Sequence, residues 1–177
     1  IIDLPAVLII LAITYLLYIG MKESSRVNNV IVAIKISVII IFVIIGFGHI
    51  NPHNYHPFAP YGWNGIFAGA STVFFSFLGF DAISTSAEEA EDPKKDVSRG
   101  IIMCLLVICI LYVSVSFVLV GIVPFKEIVT DNAVPQSLSR IGIRWGSTLV
   151  GIGAVLGMIS TIIAILYLSL IHISEPT

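Results

Sequence analysis

The composition of this 177-residue chain indicates a protein that folds in lipid. Hydrophobic residues make up 57% of the chain, charged residues only 11%, and the mean hydropathy is +1.03. Soluble domains typically contain about 45–50% apolar and about 25% charged residues. The formal net charge of -2 does not suggest a polyanionic partner. We therefore expect a lipid bilayer as the partner and no nucleic acid.

The apolar residues form five segments, each long enough to cross a bilayer core of about 30 Å as a helix of roughly 20 residues. Backbone groups in lipid have to be hydrogen-bonded within their own segment, so we expect α-helices. The predicted fold class is an all-α membrane protein with five transmembrane helices. The predicted spans are residues 4–20, 27–48, 65–87, 100–123 and 146–167.

The connectors between these segments predict the orientation. The first and third connectors hold five basic residues, whereas the second and fourth hold three. By the positive-inside rule, loops 21–29 and 88–99 are then cytoplasmic. Pro93 marks the turn in the later of these loops, and Ser98 is a candidate cap for the next helix. Histidines of the second connector would face the outside, where a metal-binding or pH-sensing role is an alternative to simple solvation: His49, His53 and His56.

The third segment combines glycines, clustered hydroxyl groups and a carboxylate, which is unusual for a membrane span. Its glycines, Gly65, Gly69 and Gly79, lower helix stability. Unwound backbone in transporters offers carbonyl groups to cations and amide groups to anions, and it is tolerated only where it lines a cavity. We predict a helix break near residues 77–79. The alternative is a continuous helix whose glycines allow close packing.

Lys35 lies eight residues inside the second segment, where a lysine costs about 2.5–3.5 kcal/mol on the mildest scale. It either extends its amine to the interface or takes up and releases a proton during a transport cycle. Asp81 is a candidate partner, because a paired Asp and Lys cost less than either alone, and Tyr112 is a candidate to join them. Ser160 and Thr161 are further candidates, although such hydroxyl groups often bond back to their own helix.

Motifs of enzymes and cofactor-binding proteins are missing from the sequence. It has no nucleotide-binding glycine loop, no catalytic dyad and no metal-ligand spacing. Cys104 and Cys109 lie five residues apart in one apolar run without a neighbouring metal ligand. We therefore expect no enzyme activity, no cofactor, no metal and no disulfide.

The two ends of the chain carry separate signals. The chain has no initiating Met and no signal peptide, so we expect an internal part of a longer protein. Residues 168–177 read LSLIHISEPT and resemble the translation of a sequencing-library adapter. We expect a non-native tail there, with a genuine short tail as the alternative, and a membrane domain over residues 1–167.

Two motifs resemble those of a known family. Residues 74–100 read FFSFLGFDAISTSAEEAEDPKKDVSRG, and residues 21–35 read MKESSRVNNVIVAIK. They resemble the sixth helix with its following loop, and the fourth loop with the fifth helix, of amino acid permeases. The resemblance is to the bacterial branch of the cationic amino acid transporters, in the amino acid–polyamine–organocation superfamily. Family members often carry Asn-Pro where this chain has Asp92-Pro93, a conservative difference.

This resemblance implies a leucine-transporter-type fold with two inverted five-helix repeats, to which the chain would contribute helices four to eight. The family binds its substrate between broken helices one and six. By analogy, Phe75 and Leu78 would offer backbone carbonyl groups to the substrate ammonium. Gly79 would lie at the break, and Phe80 would flank the site.

The resemblance also implies a coupling site. Lys35 matches a fifth-helix lysine that stands where sodium-coupled relatives hold their ion, which suggests proton coupling. Asp81 and Tyr112 match positions near that lysine. Ser160 and Thr161 match hydroxyl positions on the eighth helix, near the sodium site of relatives.

The function implied is secondary active transport, namely proton-coupled uptake of an amino acid by alternating access in the plasma membrane. The partners would be the amino acid and the proton, and the segment alone would be inactive. One alternative is an exchanger or facilitator of amino acids or amines on the same fold. A non-transport membrane subunit or a membrane enzyme would need a cofactor ligand or catalytic dyad that the sequence lacks.

Overall fold

The computed structural model describes residues 4–19, 21–77, 93–128 and 132–174, and every regular element in these ranges is a helix. Three short 3₁₀ turns, Pro52–Tyr55, Phe75–Phe77 and Phe125–Glu127, accompany the α-helices. The α-helices are α1 Leu4–Ile19, α2 Met21–Phe47, α3 Gly62–Phe74, α4 Pro93–Ile122, α5 Ala133–Arg140 and α6 Arg144–Ser174.

Three helices within the described residues are long and apolar enough to cross a membrane: Arg26–Phe47, Lys95–Ile122 and Arg144–Leu166. A shorter apolar stretch, Ala6–Tyr15, lies in α1. Their side chains remain largely uncovered by protein; only 6% of the most apolar window of α4 is buried. Such surfaces are suited to lipid rather than water. The protein is thus an all-helical, multi-pass membrane protein, whereas the count of five spans and the inverted repeat stay predictions.

The predicted loop 21–29 is wrong as a loop, because α2 begins at Met21 and these residues are helical. Lys, Glu and Arg are good helix formers, and no Pro or Gly interrupts the stretch. The charged residues therefore extend the apolar helix by another two turns.

The prediction that Ser98 caps the next helix is also wrong. Helix α4 begins at Pro93, seven residues before the predicted start, so Ser98 lies inside the helix and does not cap it. Proline is favoured at the first helical position, where its missing N–H group is not needed. Asp96 in the first turn is favourable beside the positive end of the helix dipole. Of the predicted loop 88–99, residues 93–99 are helical and 88–92 lie outside the described residues.

The third segment begins as an α-helix at Gly62, ends as one at Phe74 and continues as a 3₁₀ turn over Phe75–Phe77. The tighter turn shifts the hydrogen-bond register just before the predicted break. Residues 78–92 lie outside the described residues, so the break itself stays a prediction.

The fourth connector contains the eight-residue helix α5, which the apolar pattern did not predict. Gly142 ends it with a φ of 84°, a left-handed conformation that glycine adopts without strain. The Ile143 amide donates to the Leu138 carbonyl at 2.9 Å, and the Gly142 amide to that of Ser139 at 3.1 Å. This is the Schellman pattern of helix ends. An ion pair of 2.6 Å between Arg140 and Glu127 adds a further link in this connector.

The described residues belong to two compact units. One comprises residues up to Ile41 together with those from Thr148 onward, and the other comprises Phe42–Ser147. The buried apolar side chains of the first unit are Ile13, Val38, Val150 and Ile163. Those of the second are Phe42, Val118, Val123 and Leu138.

In the second unit, the 3₁₀ turn Pro52–Tyr55 covers the carboxyl end of α4. The Gly121 carbonyl accepts hydrogen bonds from the Asn51 amide at 2.9 Å and from Asn54 Nδ2 at 2.8 Å. The Tyr55 hydroxyl donates to the Phe117 carbonyl at 2.9 Å, and the two rings stack at 5.0 Å. Burial raises the pKa of Tyr55. Carbonyl groups in the last turn of a helix have no partner within it, and here the turn supplies one.

Candidate functional site

The first unit contains a close contact between α2 and α6, which we call the α2–α6 seam. Val38 lies against Gly153, where a Cβ atom would come within 2.8 Å of Val38 Cγ1. Lys35 lies against Gly157, four residues further along α6. Residue numbers fall on α2 as they rise on α6, so the helices are antiparallel here. Glycines four residues apart are the usual means by which membrane helices approach closely.

The side chain of Lys35 lies across this seam. A Cβ atom on Gly157 would be 3.1 Å from Lys35 Cδ, and the lysine is half-buried. The aliphatic stem of Lys35 therefore packs against α6 at Gly157.

A hydrogen bond joins the two helices beside this lysine. Ser160 Oγ donates to Asn28 Oδ1 at 2.9 Å, and Ser160 is only 4% exposed. Thr161, in contrast, donates to the Gly157 carbonyl of its own helix at 3.0 Å. The two adjacent hydroxyl groups thus have different roles, because one links helices and the other bonds back within α6.

Asn28 was not predicted as part of the site, since it was assigned to the loop 21–29. The signal was its spacing, because Asn28 and Lys35 are seven residues apart and so share one face of a helix. An amide on the face that carries the intramembrane lysine favours a polar partner on a neighbouring helix.

Tyr112 lies in the second unit, whereas Lys35 lies in the first. Its hydroxyl donates to the Ser76 carbonyl at the long distance of 3.5 Å, and its ring meets that of Phe77 edge-on at 5.3 Å. Tyr112 therefore contacts the 3₁₀ turn that follows α3. Phe75, in the same turn, is 69% exposed.

The remaining candidates lie outside the described residues: Leu78, Gly79, Phe80 and Asp81. Their predicted roles, and the predicted grouping of Asp81 with Lys35, stay predictions. In the described part of the chain there is no group of three or more His, Cys, Asp or Glu residues that could hold a metal ion. Cys104 and Cys109 are free thiols.

Comparison with known proteins decides the family. The amino acid permease family model matches residues 4–173. This chain belongs to the amino acid permease family. The match includes the α2–α6 seam and both motifs on which the resemblance rests.

Individual relatives agree with this assignment. The chain is 47% identical over 166 residues to the branched-chain amino acid permease BcaP of Bacillus subtilis. This match covers 93% of the chain and 36% of that protein. It is 42% identical over 165 residues to the methylthioribose transporter of the same organism, with the same coverage. It is 38% identical over 165 residues to the chloroplastic cationic amino acid transporter 9 of Arabidopsis thaliana, covering 93% and 29%. The chain thus spans about a third of the length of these relatives.

Proposed function

We propose that this chain is the five-helix middle part of a plasma-membrane permease that takes up amino acids with protons by alternating access. In this proposal residues 1–167 form part of a bundle with inverted repeats, and segments 21–29 and 88–99, whether helical or not, lie on the cytoplasmic side. Family membership supports amino acid transport, and the half-buried Lys35 supports the coupling.

The position of Lys35 carries the coupling proposal. A lysine in an apolar span is costly, and such residues usually serve in ion or proton pathways. Its stem lies against Gly157, on the helix that also carries the hydroxyl group of Ser160. An amine held inside the protein exchanges its proton when the surrounding helices open to one side or the other. Asp81 and Tyr112 are the proposed partners in this proton exchange.

The substrate part of the proposal rests on the end of α3. The 3₁₀ turn Phe75–Phe77 contains the first residue of the proposed substrate site. In this proposal the carbonyl groups of Phe75 and Leu78 bind the ammonium group, Gly79 lies at the break and Phe80 flanks the site. Because BcaP is named for branched-chain amino acids, we propose aliphatic amino acids such as leucine as the first substrates to test.

The test is uptake of labelled leucine by the full-length permease that carries this chain, reconstituted in liposomes. An inside-alkaline pH gradient should raise the initial rate, and a protonophore should remove the increase. Lys35→Ala should lower gradient-driven uptake to the rate seen without a gradient, whereas Lys126→Ala, an exposed lysine of the fourth connector, should not. Uptake that ignores the gradient in the unmodified protein would refute proton coupling. Full gradient-driven uptake by Lys35→Ala would refute the role of this residue.

Uptake into the same vesicles distinguishes two alternative functions from proton-coupled amino acid uptake. An exchanger would take up leucine only when the vesicles are preloaded with substrate, with or without a gradient. The similarity to a methylthioribose transporter favours, as a second candidate, a thioether sugar that lacks the ammonium group. The vesicles should then take up labelled methylthioribose, and unlabelled leucine should not compete with that uptake.

A further inference from the structure

The α2–α6 seam contains two glycines with different neighbours, and this difference is informative. A Cβ atom on Gly153 would meet the branched side chain of Val38, with Cγ1 at 2.8 Å and Cβ at 3.2 Å. A Cβ atom on Gly157 would meet only Lys35, with Cδ at 3.1 Å and Cγ at 3.9 Å. Gly151 on the same helix has nothing within 4 Å of a Cβ atom. Among the glycines of the described part of α6, Gly157 is thus the one that makes room for the lysine stem.

We propose that Gly157 is a positioning residue for Lys35: the absence of a side chain at 157 lets the lysine stem lie across the seam and fixes where its ammonium group is held. This inference rests on the proposed coupling role of Lys35. It adds that the coupling depends on a second helix as well as on the lysine itself.

The ammonium group of Lys35 has an alternative position at the interface, and this is why the position of the lysine stem bears on proton coupling. A lysine about two turns inside a span lowers its cost by extending towards the nearer interface. In the structure the stem of Lys35 packs against α6 at Gly157. A methyl group at 157 would push Cδ away by a few tenths of an ångström and favour the extended arrangement. The ammonium would then move towards water.

The other titratable groups of this unit are few. Among its described side chains they are Arg26, Tyr15 and Tyr18 besides Lys35, and α6 carries no charged residue from Thr148 to Leu166. Arg26 lies nine residues from Lys35, at about 13 Å along α2. Among these groups, Lys35 is the one whose side chain packs against α6 at Gly157.

The test compares three glycine variants in the full-length permease in liposomes: Gly157→Ala, Gly153→Ala and Gly151→Ala. Gradient-driven leucine uptake is measured across pH, together with counterflow without a gradient. For Gly157→Ala, the ratio of gradient-driven uptake to counterflow should fall about three- to tenfold, since displacing a reacting group by 1 Å can cost about a hundredfold. The midpoint of its pH profile should also move. Gly153→Ala should lower thermal stability but leave the midpoint of the pH profile unchanged. Gly151→Ala should change neither the thermal stability nor that midpoint.

The outcomes separate the inference from the proposed function. If Lys35→Met abolishes gradient-driven uptake while Gly157→Ala keeps the normal ratio and midpoint, only the positioning role fails. If Lys35→Met retains full gradient-driven uptake, the coupling proposal fails as well. If Gly157→Ala lowers the folded yield, adding Lys35→Ala frees the space and should restore that yield. A yield that stays low in the double variant overturns the contact on which the inference depends.

Discussion

At the scale of single residues, the site combines what a sequence predicts well with what it predicts poorly. Lys35 stands out in the sequence because a charge in an apolar run is costly wherever its neighbours lie, and its role in coupling stays a prediction. Ser160 and Thr161 were predicted together as hydroxyl candidates, yet only Ser160 reaches another helix. Which of two adjacent hydroxyl groups faces a partner depends on the rotation of α6, and this is set by packing against α2. Asn28 was missed for a different reason, because it was assigned to the loop 21–29, which is helical.

This difference leads to a matched pair of substitutions. Ser160→Ala should destabilise the protein by about 0.6 kcal/mol and at most about 1.7 kcal/mol, the range for interhelical hydrogen bonds in membranes, because Asn28 Oδ1 loses its donor. Thr161→Ala should have a smaller effect, since its hydroxyl bonds only to its own helix. The measurement is thermal unfolding in detergent.

A double-mutant cycle identifies the partner. Asn28→Ala should lose as much stability as Ser160→Ala, and the double variant little more than either, because both remove one hydrogen bond. Equal losses for Ser160→Ala and Thr161→Ala, or additive losses for Asn28 and Ser160, would contradict the hydrogen bond seen across the seam.

At the scale of elements, the apolar runs predicted where helices lie but not where they end. Helices α2 and α4 extend into charged stretches because Lys, Glu and Arg favour helix as much as many apolar residues do. Hydropathy indicates which part of a helix lies in lipid, whereas the backbone hydrogen bonds of the helix continue beyond that part. The eight-residue α5 was missed because its stability comes from the buried Leu138 and the Gly142 ending, not from an apolar run.

The contact between the 3₁₀ turn Pro52–Tyr55 and the carboxyl end of α4 can be tested by removing one hydroxyl group. Tyr55→Phe keeps the ring stack on Phe117 but removes the donor to its carbonyl. It should cost about 0.5–1.5 kcal/mol, the usual net value of a hydrogen bond, and lower the unfolding temperature in detergent. Tyr61→Phe is the control, because Tyr61 is 74% exposed and contacts Phe125 through its ring. An equal change in both variants would show that the Tyr55 hydroxyl does not stabilise this helix end.

At the scale of the whole molecule, membership of a family of membrane permeases explains why so much apolar surface of the chain is uncovered by protein. The described spans expose large side chains such as Ile110 at 57% and Ile152 at 58%. In a permease such surfaces meet lipid or further helices, and the matched relatives are roughly three times longer than the chain. Composition predicted the solvent, and the two motifs predicted the family. The inverted repeat depends on partners of these helices and stays a prediction.

The orientation of the whole protein is the prediction that joins charge to topology. The basic residues near the amino-terminal ends of α2 and α4 should keep these ends in the cytoplasm, because translocating Lys and Arg is disfavoured. The test replaces the cysteines of the full-length permease, among them Cys104→Ala and Cys109→Ala, and adds one cysteine at a time. His53→Cys, in the exposed turn after α2, should react with a membrane-impermeant maleimide in intact cells.

The opposite end supplies the control for that labelling. Ser98→Cys lies in the second turn of α4 and is exposed, so it should react only after the cells are permeabilised. Reversed labelling of the two positions would show the opposite orientation, with the amino-terminal end of α2 outside. The Asn28–Ser160 hydrogen bond would then lie between Lys35 and the exterior, because Asn28 is nearer than Lys35 to that end of α2. The same labels therefore decide on which side of the membrane this hydrogen bond would have to open for Lys35 to exchange its proton.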